Sequence, residues 1–317
     1  MPQILFLPDG RSVEASISES ILSASLRAGI PHTNECRGNA RCSTCRIIVL
    51  NGLEFCCPRN EKEHALAAQL HFPERVRLAC QTTVLGNVVV RRLILDANDA
   101  GLTDQTKDTT THGSVGEERQ IAILFVDIRN STRFADSVPP FDVIHVLRRF
   151  YHHMDKAVID HGGHVACYTG DGLLALFGVE TSKSACLQAV LAGLDMLRCV
   201  KQDLQPYVKR LFRRAFRIGI GLHFGQAVVG TVGGGLQERI TAIGDAVNVA
   251  SRVEWANKKA KTEFLVTEAA LREVRDQVHV GRSIDVKLPG KTGTYTLHEI
   301  VGVQNGAPQT AGRGVRS

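Results

Sequence analysis

QIAILFVDIRNST, residues 120–132, places Asp127 directly after six apolar residues, Ile121 to Val126. A short apolar run rich in branched side chains reads as a strand buried on both faces, so the pattern predicts that it delivers Asp127 to its end. Downstream, CYTGDGLLALFG, residues 167–178, sets Gly170-Asp171-Gly172 between two apolar stretches. That is the mark of a tight hairpin with a carboxylate at its tip. Two carboxylates brought together in a low-dielectric site repel one another, and a divalent cation is the usual remedy, with Mg²⁺ the first candidate.

IGDAVNVASRVEW, residues 243–255, supplies the complement. Ala246, Val247, Val249, Ala250 and Val253 recur at helical spacing, so Asn248 and Arg252 project from one helical face, one turn apart. Arg offers a planar fork of donors to phosphate oxygens, and Asn can orient a sugar. Taken singly, an exposed Arg is usually just solvated and an Asp at a strand end usually caps a turn. In this order and these contexts, the four are the parts of a metal-dependent phosphoryl-transfer site.

Over roughly residues 119–302 the chain resembles the class III nucleotidyl cyclases. FVDIRNSTRFAD, GGHVACYTGDGLLALFG, RIGIGLHFGQAVVGTVG and ERITAIGDAVNVASRVE carry the resemblance, in the family's order. It implies an α/β domain with a mainly antiparallel sheet and flanking helices. It also implies that Asp127, Asp171 and the main-chain carbonyl of Ile128 bind two Mg²⁺ (or Mn²⁺) ions. Asn248 and Arg252 would then come from the opposite protomer of a homodimer. The implied reaction is attack of the ribose 3′-hydroxyl on the α-phosphorus, which gives a cyclic nucleotide and pyrophosphate. A lysine near the C-terminal strand contacts the nucleotide phosphates in that family, and Lys291 or Lys287 would serve here.

The resemblance breaks at base selection. The position three before the Gly-Asp of the second metal site holds lysine in adenylyl cyclases and glutamate in guanylyl cyclases; here it is Cys167. Its partner position is Thr241, as in a bacterial branch of adenylyl cyclases. A threonine hydroxyl either donates or accepts, so it does not choose a base alone. A thiol is a weak donor, and a purine edge left unpaired in a closed pocket costs about 1–3 kcal/mol. ATP is the expected substrate and GTP the alternative.

The first 96 residues carry a second set. NECRGNARCSTCRIIVL gives C-x5-C-x2-C with Cys36, Cys42 and Cys45, and Cys80 follows in RVRLACQTT. The first gap is one residue longer than the plant-type [2Fe–2S] spacing and matches that of vertebrate-type and related bacterial ferredoxins. Gly38, Asn39, Ala40 and Ser43 are small enough for backbone N–H groups to approach cluster sulfurs. Zinc is the competing metal, but zinc patterns have a second close pair, whereas Cys80 stands alone. Strands at Ile4 to Leu7, Ser12 to Ala15, Ile47 to Leu50 and Val88 to Leu95, with helices at Ser20 to Ala28 and Glu61 to Leu70, resemble a β-grasp ferredoxin. One [2Fe–2S] cluster per chain is implied.

The expected organisation is therefore α+β in two domains. A ferredoxin-like domain spans 1–96, a linker 97–118, a cyclase-like domain 119–302 and a disordered tail 303–317. The linker and tail are polar and nearly devoid of large apolar residues. Helices are expected at Phe141 to Asp160, Ser182 to Gln202 and Asp245 to Ala256. No apolar run reaches the length of a membrane span, and the N-terminus lacks a basic start followed by an apolar stretch. The expectation is a cytoplasmic protein with reduced thiols and no integral membrane segment. Net charge is +6, and the densest basic run, RLFRRAFR, has few interleaved aromatics, so no nucleic-acid partner is implied.

LPGKTG is not a P-loop, because the glycine required at position 285 is Asp285. IGIGLHFG has no ensuing Rossmann helix. Cys56 and Cys57 carry no assigned role. The sequence thus reads as a redox-linked nucleotidyl cyclase, with a reductase or other redox partner for the cluster. Its rivals are a degenerate nucleotide-binding sensor, suggested by Cys167, and an electron-transfer protein dimerised by its C-terminal domain.

Overall fold

A computed structural model describes residues 1–70, 72–96, 99, 116–232 and 239–304. The chain divides into two compact units, Met1–Val115 and Gly116–Ser317.

In the first unit, β1 (Gln3–Leu7) and β2 (Arg11–Glu14) make an antiparallel hairpin. Ser20 opens α1 (Ile21–Arg27), its hydroxyl accepting from the Ser23 N–H. β3 (Arg46–Asn51), α2 (Glu61–Gln69), β4 (Val76–Leu78) and β5 (Val88–Arg92) follow. The sheet order is β2-β1-β5-β3-β4, with β1 and β5 parallel. Ile4 and Phe6 point inward from β1 by strand alternation and share a core with Ile21, Leu22 and Ala24 of α1. β4 was not expected, because three residues are too few to show a period. β5 stops at Arg92, short of Leu95. There the guanidinium turns inward and donates to both Asp9 oxygens at 2.8 and 2.7 Å and to the Pro31 carbonyl at 2.9 Å.

The second unit contains β6 (Glu117–Ile128), α3 (Ser131–Ser137), α4 (Pro140–Asp160), β7 (His164–Tyr168), β8 (Gly172–Phe177) and α5 (Ala185–Cys199). A π-type turn at Val200–Leu204 leads into α6 (Gln205–Phe212), β9 (Ile218–Val232), β10 (Arg239–Ile243), α7 (Asp245–Ala260), β11 (Phe264–Thr267), α8 (Glu268–Arg272), β12 (Val278–Val286) and β13 (Tyr295–Val303). Among the described residues the sheet runs β12-β13-β11-β9-β6-β8-β7, with β10 on β9. All neighbouring pairs are antiparallel except β9 with β11.

β6 is buried on both faces, as its unbroken apolar run requires. Ala122, Leu124 and Val126 share a core with Val146, Phe150 and Met154 of α4 and with α5. Ile121 and Ile123 pack in the opposite layer with Ala246 and Ala250 of α7.

Several boundaries differ from expectation. β6 begins inside the expected linker, since Glu117 and Glu118 pair with Val229 and Val228 of β9, a ladder that polar side chains conceal. The rest of 97–118, apart from Asp99 and Gly116, lies outside the described residues. Val303 closes β13 and the Gln304 N–H donates to the Gln277 carbonyl, so these two residues are not tail; residues 305–317 lie outside the described residues. α5 starts at Ala185 rather than Ser182 because Ser184 is left-handed, with φ 64°. α7 runs past Ala256 to Ala260, with Lys258 and Lys259 in its last turn complementing the helix dipole.

In the first unit a buried ion pair joins α2 to β4. Glu63 is fully buried and accepts from Arg77 Nε and Nη2, each at 2.8 Å, and from the Leu78 N–H at 2.7 Å. Removing one partner strands the other charge. Glu63→Ala is expected to destabilise this unit by about 3–5 kcal/mol, read as an earlier thermal or urea transition that leaves the second unit's transition unmoved.

Candidate functional site

Asp127 pairs with Gly172 across β6 and β8, and the Ile128 N–H donates to the Asp171 carbonyl at 3.1 Å, so the ladder itself brings the two aspartates together. Gly170 has φ +76°, which the tight turn needs, and the Thr169 N–H donates to the Gly172 carbonyl at 2.8 Å. At Gly172 a Cβ would stand 2.3 Å from the Val126 carbonyl oxygen, so only glycine permits this approach. The Ser131 hydroxyl donates to Asp171 Oδ2, and the Tyr151 hydroxyl donates to the Gly170 carbonyl at 2.5 Å. Sequence reading missed both supports, because nothing in their spacing distinguishes them from ordinary helix residues.

Burial first, and then the Asp171 charge, pushes the Asp127 carboxyl up to about 6. A carboxylate with this penalty suits a hard cation, which would relieve the repulsion. Among the described residues no three His, Cys, Asp or Glu side chains converge as a metal cage. Two carboxylates with open positions therefore fit a cation that keeps waters or substrate oxygens, as Mg²⁺ does.

Asn248 is exposed on α7 and Arg252 is half-buried. A Cβ on Gly290 would lie 3.4 Å from Arg252 Nη2, and Lys291 Nζ is ion-paired with Asp245 at the start of the same helix. The structure thus gathers Asp245, Arg252 and Lys291, whereas Lys287 is exposed.

Cys167 on β7 packs in the same apolar cluster as Ile240 and Ala242 of β10. By strand alternation Thr241 and Arg239 share the other face of β10. Burial pushes the Cys167 thiol up while the charge of Arg239 opposes it. Arg239 acts in the same direction on Tyr168, so it lies within electrostatic reach of this edge. Its position two residues before Thr241 on a strand was the signal that would have found it.

In the first unit the four cysteines stand as two contacting pairs. Cys36 and Cys42 are hydrogen-bonded, and the Cys36 N–H also donates to Cys42 Sγ at 3.3 Å. Cys45 and Cys80 form the other pair. Their mutual hydrogen bond pulls Cys80 down to about 6, with help from Gln81 and Ala40, and pushes Cys45 far up. The Gln81 amide donates to Cys80 Sγ at 3.3 Å and to the Gly38 carbonyl at 2.8 Å. Sulfurs ringed by N–H donors fit an iron–sulfur cluster, whose charge such donors stabilise.

Residues 114–299 match the family model "Adenylate and Guanylate cyclase catalytic domain", and residues 5–85 match "2Fe-2S iron-sulfur cluster binding domain". An adenylate cyclase of Anabaena cylindrica is 32% identical over 185 residues, covering 57% of this chain and 37% of that protein. Adenylate cyclase 1 of Rhizobium meliloti is 28% identical over 196 residues, 60% of this chain and 29% of that one. The chain therefore spans about a third of the length of these relatives. Among solved structures, the guanylyl cyclase Cya2 superposes with a TM-score of 0.56 at 28% identity, covering 61% of this chain and 97% of that one. The adenylyl cyclase CyaB from P. aeruginosa shares the fold, with a TM-score of 0.55 at 22% identity over 60% of this chain and 97% of that one.

Proposed function

Because the chain belongs to the adenylate and guanylate cyclase catalytic-domain family and carries a 2Fe-2S cluster-binding domain, we propose that it is a redox-linked, homodimeric cyclase that converts ATP to a 3′,5′-cyclic nucleotide and pyrophosphate. The observation that carries the reading is the meeting of Asp127 and Asp171 at one hairpin end, with Asp127 held up to about 6 by burial and by its neighbour.

Asp127, Asp171 and the Ile128 carbonyl would hold two Mg²⁺ or Mn²⁺ ions. When bound, these favour the ribose 3′-alkoxide and brace the phosphates. Arg252 of the opposite protomer meets the charge that develops on the phosphates, and Asn248 orients the ribose. Lys291 is the phosphate contact in preference to Lys287, because its ion pair with Asp245 sets it at the start of the helix that carries Asn248 and Arg252. Ser131 and Tyr151 hold the Asp171 turn in place.

For the base, Cys167 of β7 and Thr241 of β10 are the proposed contacts to the purine edge; Cys167 packs with Ile240 and Ala242, on the face of β10 away from Thr241. GTP is the second reading, and Arg239 is what favours it. A guanidinium within reach of Cys167 matches the paired acceptors O6 and N7 of guanine, whereas adenine offers a donor at N6.

The expected outcome for Asp127→Ala is loss of cyclisation with the dimer intact. Mixing it with equally inactive Arg252→Ala chains should restore part of the activity, since one composite site in each mixed dimer is whole. Absence of any recovery on coexpression overturns the two-chain site.

Cys167→Lys installs a donor to adenine N1 and should raise the ATP/GTP ratio of kcat/KM about tenfold, what one good charged hydrogen bond supplies. Arg239→Gln should lower GTP turnover in parallel. An unchanged ratio in both variants removes this edge from base recognition.

For the redox link, anaerobic protein should contain iron and sulfide in equal amounts and give an S = 1/2 EPR signal on reduction with dithionite. Cyclase rates of the oxidised and reduced forms should differ by roughly 5- to 150-fold, the span of an ordinary coupling free energy. Equal rates at confirmed cluster occupancy leave the first unit as a carrier or structural module.

A further inference from the structure

The closely spaced glycines of IGIGLHFG lie within β9, and their spacing has a structural use. Gly219 and Gly221 lie on one face of β9 and have no room for a side chain. A Cβ at Gly219 would stand 1.5 Å from Arg129 Nη2, and one at Gly221 would stand 2.1 Å from the Glu254 main-chain nitrogen. Together they open a groove in the sheet. Arg129 fills one end of it and α7 lies in the other.

Arg129 is two residues beyond Asp127 and shares its side of the strand. Its N–H extends the ladder by donating to the Arg217 carbonyl at 2.8 Å. Its Nη2 is 2.7 Å from Glu254 Oε1 and donates to the Glu254 carbonyl at 3.2 Å. Both side chains are largely buried, at 16% and 11% exposure, so solvent screens the pair little. Glu254 follows Arg252 by two residues on α7. Asn257, one turn later, donates to the Ile220 carbonyl at 2.8 Å and ties the same helix to β9.

We propose that Arg129 and Glu254 are positioning residues that couple the two active sites of the dimer. The proposal rests on the two-chain reading given above. In that reading a chain's metal loop serves one site, while its α7 carries Asn248 and Arg252 to the other. The ion pair joins these two parts within one chain. The buried charge pair holds α7 against its own chain's metal loop, so the base of one site sets the placement of the helix that completes the other.

The test uses mixed dimers purified through two different tags, one chain carrying Arg252→Ala and the other Asp127→Ala. Such a dimer has one live site, built from the metal loop of the first chain and α7 of the second. Arg129→Gln is then added to the Asp127→Ala chain, whose own metal loop is already dead. A local role at the metals predicts no effect there. The coupling predicts that kcat at the live site falls by about threefold or more, with KM changed less, because catalysis is sensitive to ångström-scale placement. A smaller change overturns it.

If the Arg129→Gln chain does not assemble, Glu254→Gln in the Arg252→Ala chain reads the same coupling from the other end, under the same threshold. A mixed dimer that is inactive before either change is added refutes the two-chain site, and the coupling with it. An active mixed dimer indifferent to the change refutes the coupling alone.

Discussion

Register in β6 is the constraint on which the second unit depends. The strand is hydrogen-bonded along both edges, to β8 and to β9, and its side chains are buried on both faces. A slip of one residue would exchange Ile121 and Ile123 with Ala122 and Leu124 and carry Asp127 to the opposite layer. Neither layer could absorb the change in volume without voids or overlap. The apolar run therefore aims charges. Because side chains alternate, fixing Ile123 fixes the side on which Asp127 and Arg129 emerge.

Those charges sit where burial penalises them. Asp127 is pushed up to about 6 and Glu254 to about 7, each chiefly by burial, with Asp127 and Asp171 adding to the penalty on Glu254 and Arg129 opposing it in both cases. A single guanidinium thus shares its field among the neighbouring carboxylates. The contact of Glu254 Oε1 with Arg129 Nη2, at 2.7 Å, is an ion pair between largely buried groups. It does not tolerate loss of either charge, since the survivor would be left buried without a partner.

Both units were legible in the sequence because their signals are local. Asp127 follows its apolar run directly, Asp171 lies between two glycines, and Cys36, Cys42 and Cys45 fall within ten residues. What stayed hidden depends on partners distant along the chain. Glu254 reads as an ordinary helix residue until Arg129, 125 residues earlier, is placed against it. Arg239 reads as a surface charge until β10 is seen to share an apolar cluster with Cys167. Helix ends were misplaced where one residue's backbone decided them, as at Ser184, since composition does not report φ. The strand at Glu117 was missed because ladder pairing makes no demand on hydrophobicity.

In the cysteine loop, Arg37, Gly38 and Ala40 all have positive φ, at 54°, 85° and 53°. Two of them carry a Cβ, and each such residue costs roughly 1–3 kcal/mol relative to a relaxed backbone. The contacts that offset this cost gather at the sulfurs: Ala40 bonds to Cys80, and Gly38 lies against it. A cluster ligated by Cys36, Cys42, Cys45 and Cys80 would add bonds that hold the loop wound, so that ligation and loop closure would each favour the other.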